Sequence, residues 1–146
     1  MNSFIRLLSL FVLASAFGPL ARADGKPSSQ GDTVKVVVHV DFADADRQKH
    51  GLGNVTNMLN ASGNKITIEV VAHGEGLPML VSAKSSVASE IKELMTKGVT
   101  FAACEHTMKK DGVTKAQLLP GVTPVPSGAF EVVKKQSDGY SYFKPG

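Results

Sequence analysis

The chain has 146 residues, one cysteine and no tryptophan, and its formal net charge is only +3, from 16 Lys and Arg against 13 Asp and Glu. This length suits one domain that buries an apolar core without disulfide bonds. The positive charges are scattered rather than gathered into a stripe, which argues against nucleic acid or an anionic membrane surface as the main partner.

The first 23 residues have the pattern of a secretory signal peptide. Arg6 gives a short charged start, and the apolar run over residues 7–17 is too short for a stable membrane span. Ala21-Arg22-Ala23 then supplies the small residues that a signal peptidase recognises. We expect cleavage after Ala23 rather than an uncleaved membrane anchor, so the protein is expected to be periplasmic or secreted.

Loss of this segment removes two arginines and leaves a charge balance close to neutral. The remaining chain begins with a leader over residues 24–33, rich in Ser, Gly and other polar residues, that we expect to be flexible. A single domain is expected over residues 34–146. Its sequence contains no apolar segment long enough to span a bilayer, so we expect no membrane association after cleavage.

The domain is predicted to begin with a strand and a helix. Val34–Val40 is apolar at nearly every position, which is typical of a strand covered on both faces, as in a parallel sheet. Apolar residues recur at helical spacing from Leu52 to Leu59 and predict a helix over residues 46–61. Ile66–Ala72 is predicted as the second strand, and a loop follows from His73 to Pro78.

The rest of the chain continues this alternation. In its last predicted helix, Phe130 and Val133 are expected to face inward. Strands that alternate with helices in this way predict repeated βα units, and hence an α/β domain with an open, mostly parallel sheet of about five strands. The later elements are strands over 99–103, 122–125 and 140–144, and helices over 87–97, 105–110 and 128–136.

Ligands of open α/β sheets bind beyond the carboxyl ends of the strands, and three polar segments of this chain are predicted there. They are Asp41–Asp44, His73–Gly76 and Cys104–Thr107. A single thiol cannot close an internal disulfide, so Cys104 is free, paired with another chain, or chemically employed. If Glu105 opens a short helix, the N–H groups of that helix favour the thiolate, and His106 can support the same ionisation. The alternative is a small buried hydrophobe.

Six segments of the domain carry a resemblance to a known family. They are Lys35–Val40, Asn54–Ala61, Ile68–Gly74, Val99–Met108, Gly121–Gly128 and Gly139–Pro145. In their order and spacing they resemble the DsrE/DsrF-like proteins, which are small α/β domains associated with sulfur relay and sulfur oxidation. The resemblance covers nearly all of the chain after residue 33.

The resemblance implies a three-layer α/β/α fold and a homo-oligomer, commonly a trimer or hexamer. In the sulfur-relay members, a cysteine that matches Cys104 accepts sulfane sulfur as a persulfide and passes it on. The implied partners are therefore other protein thiols or a small sulfane-sulfur donor. Thr107 completes the family's Cys-x-x-Thr pattern, whereas His106 stands where Asn is more frequent. Export is a second departure, because the best-understood relay members are cytoplasmic.

The polar segments at the strand ends and the family resemblance together indicate one candidate site. Cys104 and His106 are the candidate catalytic residues. The candidate substrate-binding residues lie in neighbouring loops and on helices: His73, Gly74, Glu105, Thr107, Asn57 and Ser127. Cys104, His106 and Met108, with His73, form a donor set that would suit copper, but their spacing is not that of a known metal motif. We therefore assign no metal ligand and expect no cofactor.

Three functions remain open from the sequence. The first is a sulfur carrier or sulfurtransferase that acts through Cys104. The second is a non-catalytic, homo-oligomeric binding module for a small ligand or metal in the periplasm. The third is a redox protein in which Cys104 forms a mixed or intersubunit disulfide.

Overall fold

A computed structural model describes residues 33–146, so the expected signal peptide over residues 1–23 and all but the last residue of the expected leader lie outside the described residues. Within this range, five strands form one sheet in the order β4-β3-β2-β1-β5, and every neighbouring pair is parallel. The strands are β1 (Val34–Val40), β2 (Ile66–Ala72), β3 (Thr100–Cys104), β4 (Thr123–Val125) and β5 (Ser141–Phe143).

The helices follow the strands closely in the chain. Polar side chains cap two of them: Asp44 Oδ1 accepts from the Arg47 N–H at 2.7 Å, and Ser127 Oγ accepts from the Phe130 N–H at 3.3 Å. No helix in the described range is long and apolar enough to cross a bilayer. The helices are α1 (Ala45–Ala61), α2 (Ala88–Thr96), α3 (Glu105–Lys110) and α4 (Gly128–Ser137), with 3-10 turns at Gly74–Leu80 and Lys115–Gln117.

Side-chain alternation along the strands separates two cores of unequal size. On one face, Val36, Val38 and Val40 of β1 pack in a large apolar cluster with residues of α1 and α2. On the other face, a cluster of four buried residues joins the sheet to α4: Val37, Val71, Ala102 and Val132. The prediction of an α/β/α sandwich with a parallel sheet of about five strands is therefore confirmed.

The orientation predicted for the last helix is wrong. Phe130 and Val133 were expected to face inward, but their side chains are 66% and 57% exposed, whereas Val132 is 5% exposed. Gly128, Val132 and Lys135 form the stripe of α4 that faces the sheet, since positions four and three residues apart share one side of a helix. Gly128 has no side chain and lies against residues that end β2 and β3, which brings this stripe of the helix inward.

The segment after β2 forms a 3-10 helix where a loop was expected, and it lies against the end of β1. A Cβ atom built on Gly76 would lie 2.8 Å from the Val40 carbonyl carbon, closer than real Cβ contacts allow. The His73 N–H also donates to the Val40 carbonyl at 3.1 Å. These contacts require glycine at position 76 and hold His73 beside the residues that follow β1.

Candidate functional site

The carboxyl ends of β1, β2 and β3 bring three chemically active side chains to one edge of the sheet. His39 of β1 pairs in register with Val71 of β2, and Ala72 pairs with Ala103 of β3. Because side chains alternate along each strand, His39, His73 and Cys104 lie on the α4 face, as Val71 does. Parallel pairing therefore gathers residues that are up to 65 positions apart in the chain.

His39 and His73 are in direct contact. Their Nε2 atoms lie 2.6 Å apart, and their rings stack with centroids 4.8 Å apart and an interplanar angle of 21°. On the other side of the His39 ring, Nδ1 lies 2.8 Å from the Tyr142 hydroxyl of β5. Burial lowers the pKa of His39, and His73 lowers it further, while Asp41 opposes the shift. This half-buried imidazole therefore favours its neutral form.

Asp41 directly follows β1 and extends the group formed by His39 and His73 toward solvent. Its Oδ2 lies 3.9 Å from His39 Nε2 and accepts a hydrogen bond from Lys144 Nζ at 2.8 Å. This bond lowers the pKa of Asp41, and the nearby His39 adds to the effect. The carboxylate is therefore ionised and shared between an ammonium group and an imidazole edge.

Cys104 lies at the junction of β3 and α3, and its surroundings are polar. Burial raises the pKa of the Cys104 thiol, but hydrogen bonds outweigh that effect and the net shift is downward. The groups that lower the pKa are the Thr107 hydroxyl and the backbone N–H groups of Gly128, Thr107 and His106. Thr107 Oγ1 accepts from the Gly74 N–H at 3.0 Å, so its own hydrogen is free to point at the sulfur.

Gly128 makes this arrangement sterically possible. A Cβ atom at this position would lie 2.8 Å from the Cβ of His73 and 3.1 Å from the Cβ of Cys104. With no side chain there, the first residue of α4 lies directly beside Cys104, and its N–H lowers the pKa of the thiol. The same contact shows that His73 and Cys104 are near neighbours on the two sides of Gly128.

A cleft of about 370 Å³ opens beside the thiol. The Cys104 residue itself is only 4% exposed in the single chain, and its side chain does not line the cleft. Two of its immediate partners, His106 and Thr107, do line the cleft. The full lining is His73, Gly74, Glu75, Pro78, His106, Thr107, Lys110 and Asp111.

The structure brings most of the predicted site residues together. His73, Gly74 and Thr107 converge on Cys104 as described above, and Ser127 precedes Gly128 as the cap of α4. Two others, Glu105 and His106, are exposed at the start of α3, and the contribution of His106 to the thiol is its backbone N–H.

Asn57 lies apart from this group. It is exposed on α1, twelve residues after the first residue of that helix, which is about 18 Å along its axis. The helix starts at the edge of the sheet where the site lies, so Asn57 is near its opposite end. The copper donor set also fails to converge, because Met108 packs in the large apolar cluster.

Three residues around His73 and Asp41 were not predicted as site residues from the sequence: His39, Tyr142 and Lys144. His39 had a visible signal, since it is a histidine near the end of an otherwise apolar strand. Tyr142 lies in β5 and Lys144 directly follows that strand, and their partners lie 103 positions earlier in the chain.

The fold and the site define a class: a parallel α/β domain with a thiol of lowered pKa at the carboxyl edge of its sheet. The model of the DsrE/DsrF-like family matches residues 34–145, and the chain belongs to this family.

The chain is similar to several solved structures, among them the following two. One is a protein of unknown function, MTH1491 from Methanobacterium thermoautotrophicum, with 35% identity and a TM-score of 0.72, covering 77% of this chain and 99% of that one. The ychN protein from E. coli has a TM-score of 0.64 over 76% of this chain and 98% of its own, but at 9% identity it shows the fold alone. No curated protein matches the chain.

Proposed function

We propose that the protein is a sulfur carrier in which Cys104 accepts a sulfane sulfur and holds it as a persulfide. The observation that carries this proposal is the polar setting of the sulfur: Gly128 and Thr107 lie at the thiol, and their N–H groups, the Thr107 hydroxyl and the His106 N–H lower its pKa. Such donors favour the thiolate, which is the nucleophilic form of cysteine.

The reaction follows from this chemistry in two steps. With thiosulfate as the donor, the Cys104 thiolate attacks the outer sulfur, a new S–S bond forms, and sulfite leaves with the electron pair of the broken S–S bond. The product is the Cys104 persulfide anion. An acceptor thiolate then attacks the terminal sulfur of this persulfide, takes that sulfur, and releases the Cys104 thiolate.

The cleft beside Cys104 supports the proposal as a route for donor and acceptor. His73 and Thr107 line the cleft and also lie next to the thiol, so a molecule bound there is close to the sulfur. Lys110 places a positive charge in the lining, but Glu75 and Asp111 place two negative charges there, so the charge of the cleft does not by itself favour an anionic donor.

Mass spectrometry of the intact protein tests the proposal directly. After incubation with thiosulfate or polysulfide, we expect a gain of one or more sulfur masses that dithiothreitol removes. The chain has one cysteine, so Cys104→Ser should show no gain. A gain that persists in Cys104→Ser, or none in the wild type at any donor concentration, would contradict the proposal.

Gly128→Ala sharpens the test, because it acts on the site without removing the thiol. The added methyl group would collide with His73 and Cys104 and push α4 away. We expect sulfur loading to slow by at least about tenfold, which corresponds to about 1.4 kcal/mol. An unchanged rate of loading would show that the Gly128 N–H is not needed.

We propose in addition that the protein works outside the cytoplasm as a homo-oligomer. The N-terminal sequence pattern supports export. Phe130 and Val133 support self-association, since both are large apolar side chains exposed on one side of α4. Light scattering on the purified protein should give a multiple of the chain mass, and Phe130→Ser should lower it. A monomer in the wild type would contradict this assembly.

A further inference from the structure

Three metal-ligating side chains meet outside the thiol's own hydrogen-bond network. One donor atom each from His39, Asp41 and His73 lies within 4.8 Å of the other two. The His39 side chain is 15% exposed and the Asp41 side chain 31%, so the group is half-buried at the edge of the sheet. It is formed where β1 and β2 end, and these two strands pair in parallel along their whole length.

The contact between the two imidazoles is the unusual feature. Two Nε2 atoms 2.6 Å apart repel each other if both carry lone pairs, so either one ring donates a proton to the other or a cation lies between them. Two nitrogens that bind one zinc ion at about 2.0–2.1 Å in tetrahedral geometry are about 3.3 Å apart. If the two rings moved apart by less than about 1 Å, the ion would fit between their nitrogens.

A hydrogen bond to Tyr142 leaves His39 in a suitable form to bind a metal ion. When His39 Nδ1–H donates to the Tyr142 oxygen at 2.8 Å, the proton sits on Nδ1 and the Nε2 lone pair is free. A second partner on the far nitrogen of the ring is the usual support of a metal-binding histidine, because it sets both the tautomer and the ring orientation.

We propose that His39, Asp41 and His73 form a binding site for one divalent metal ion of the zinc type. Two imidazole nitrogens and one carboxylate oxygen are a common protein donor set for Zn²⁺ with an open coordination position. The proposal does not depend on sulfur transfer at Cys104, since none of the three ligands is among the donors to the thiol.

Lys144 distinguishes this proposal from a simple hydrogen-bond network. Its ammonium group donates to Asp41 at 2.8 Å, and its side chain is 37% exposed. A bound divalent ion would displace this cation, which can move into solvent. Lys144→Gln should therefore bind zinc several-fold more tightly than the wild type, because the competing charge is gone. A network without a metal role predicts no zinc binding in either protein.

Calorimetric titration of the purified, chelator-treated protein with Zn²⁺ tests the site. We expect one ion per chain, a loss of affinity greater than about 100-fold in His39→Gln and His73→Gln, and a loss of about 10- to 100-fold in Tyr142→Phe. His50→Ala is the matched control, because His50 is an exposed histidine on α1. Its affinity should equal that of the wild type.

Cobalt substitution separates this site from binding at the thiol. The Co²⁺ protein should show ligand-field bands without the charge-transfer band that a thiolate ligand gives. Circular dichroism checks that each variant is folded, and Lys144→Gln keeps the test valid if the histidine variants do not fold. Equal zinc affinity in wild type and both histidine variants, or a thiolate-to-cobalt band, would overturn the assignment.

Discussion

The two faces of the sheet are built from the same strands but differ in thickness and chemistry. The face covered by α1 and α2 buries a large, continuous apolar cluster that runs from Val36 to Val122. The face covered by α4 has four buried apolar residues, and the remaining positions there include Glu69, His39 and Cys104. One face therefore supplies most of the folding free energy, and this frees the other face to hold polar, reactive groups.

The largest expected effect comes from truncating a side chain in the large apolar cluster under α1 and α2. Phe101 is 1% exposed and packs on the α1 and α2 face, so Phe101→Ala should lower the free energy of unfolding by about 3–5 kcal/mol. Val132→Ala on the α4 face is the matched comparison and should cost about 1–2 kcal/mol. Denaturation in urea measures both. Equal losses would remove the distinction between the two faces.

The second prediction concerns the ion pair that joins α4 to the sheet. Lys135 Nζ lies 2.7 Å from Glu69 Oε2, and their side chains are 18% and 12% exposed. Lys135→Met leaves a half-buried carboxylate whose other oxygen has no hydrogen-bond partner among residues 33–146, so stability should fall by about 1–3 kcal/mol.

The neighbouring lysine is the control for this variant. Lys134 forms a similar pair with Asp138 at 3.0 Å, but both side chains are about half exposed. Water and salt screen that pair, so Lys134→Met should change the stability by less than about 0.5 kcal/mol. A loss in Lys134→Met as large as that in Lys135→Met would show that burial is not the cause.

The third prediction concerns how the alkylation rate of the Cys104 thiol depends on pH. Because the pKa of Cys104 lies below its ordinary value, alkylation by iodoacetamide should persist to lower pH than for a free cysteine, whose pKa is about 8.5. Thr107→Val removes one donor and should move the midpoint of the rate profile to higher pH. Thr56→Val on α1, whose hydroxyl donates to the Leu52 carbonyl, should leave it unchanged.

The lowered pKa of Cys104 also makes the stability of the folded protein depend on pH. A thiol whose pKa is depressed by folding stabilises the folded state fully above the ordinary thiol pKa. This contribution is lost as the pH falls through the lower pKa of the folded protein. Cys104→Ser should therefore narrow the stability difference between mildly alkaline and neutral pH.

The smallest expected effect separates stability from reactivity. A Cβ atom on Gly53 of α1 would meet no atom of the described part of the chain within 4 Å, so Gly53→Ala should stabilise the protein by about 0.5–1 kcal/mol. The rate of Cys104 alkylation should not change, because α1 covers the opposite face. Gly51→Ala, two residues earlier, meets Pro145 at 2.8 Å and should gain less or lose stability.

The order of strands and helices could be predicted from the sequence because each element has its own local pattern. The run Val34–Val40 has few polar side chains, and the thiol follows another apolar strand. Strand pairing is not local, so nothing in the pattern indicated that β5 joins β1 at the edge of the sheet. Tyr142 and Lys144 reach His39 and Asp41 only through that pairing.

The helical pattern of α4 was also ambiguous in the sequence. Phe130 and Val133 form an apolar stripe at helical spacing, and so they were expected to face the sheet. The stripe that is actually buried contains a glycine, a valine and a lysine. Neither Gly128 nor Lys135 looks like a core residue by composition. Close backbone approach and an ion pair, both tertiary effects, decided the orientation.

Because few buried side chains hold α4 against the sheet, this helix is expected to move within the folded protein. Four buried apolar residues and one half-buried ion pair hold this helix, so it should detach at a lower free energy than global unfolding requires. Its amide hydrogens should exchange with deuterium faster than those of α1. Since α4 covers the nearly inaccessible sulfur, brief departures of this one helix would control how often a reagent meets the thiol.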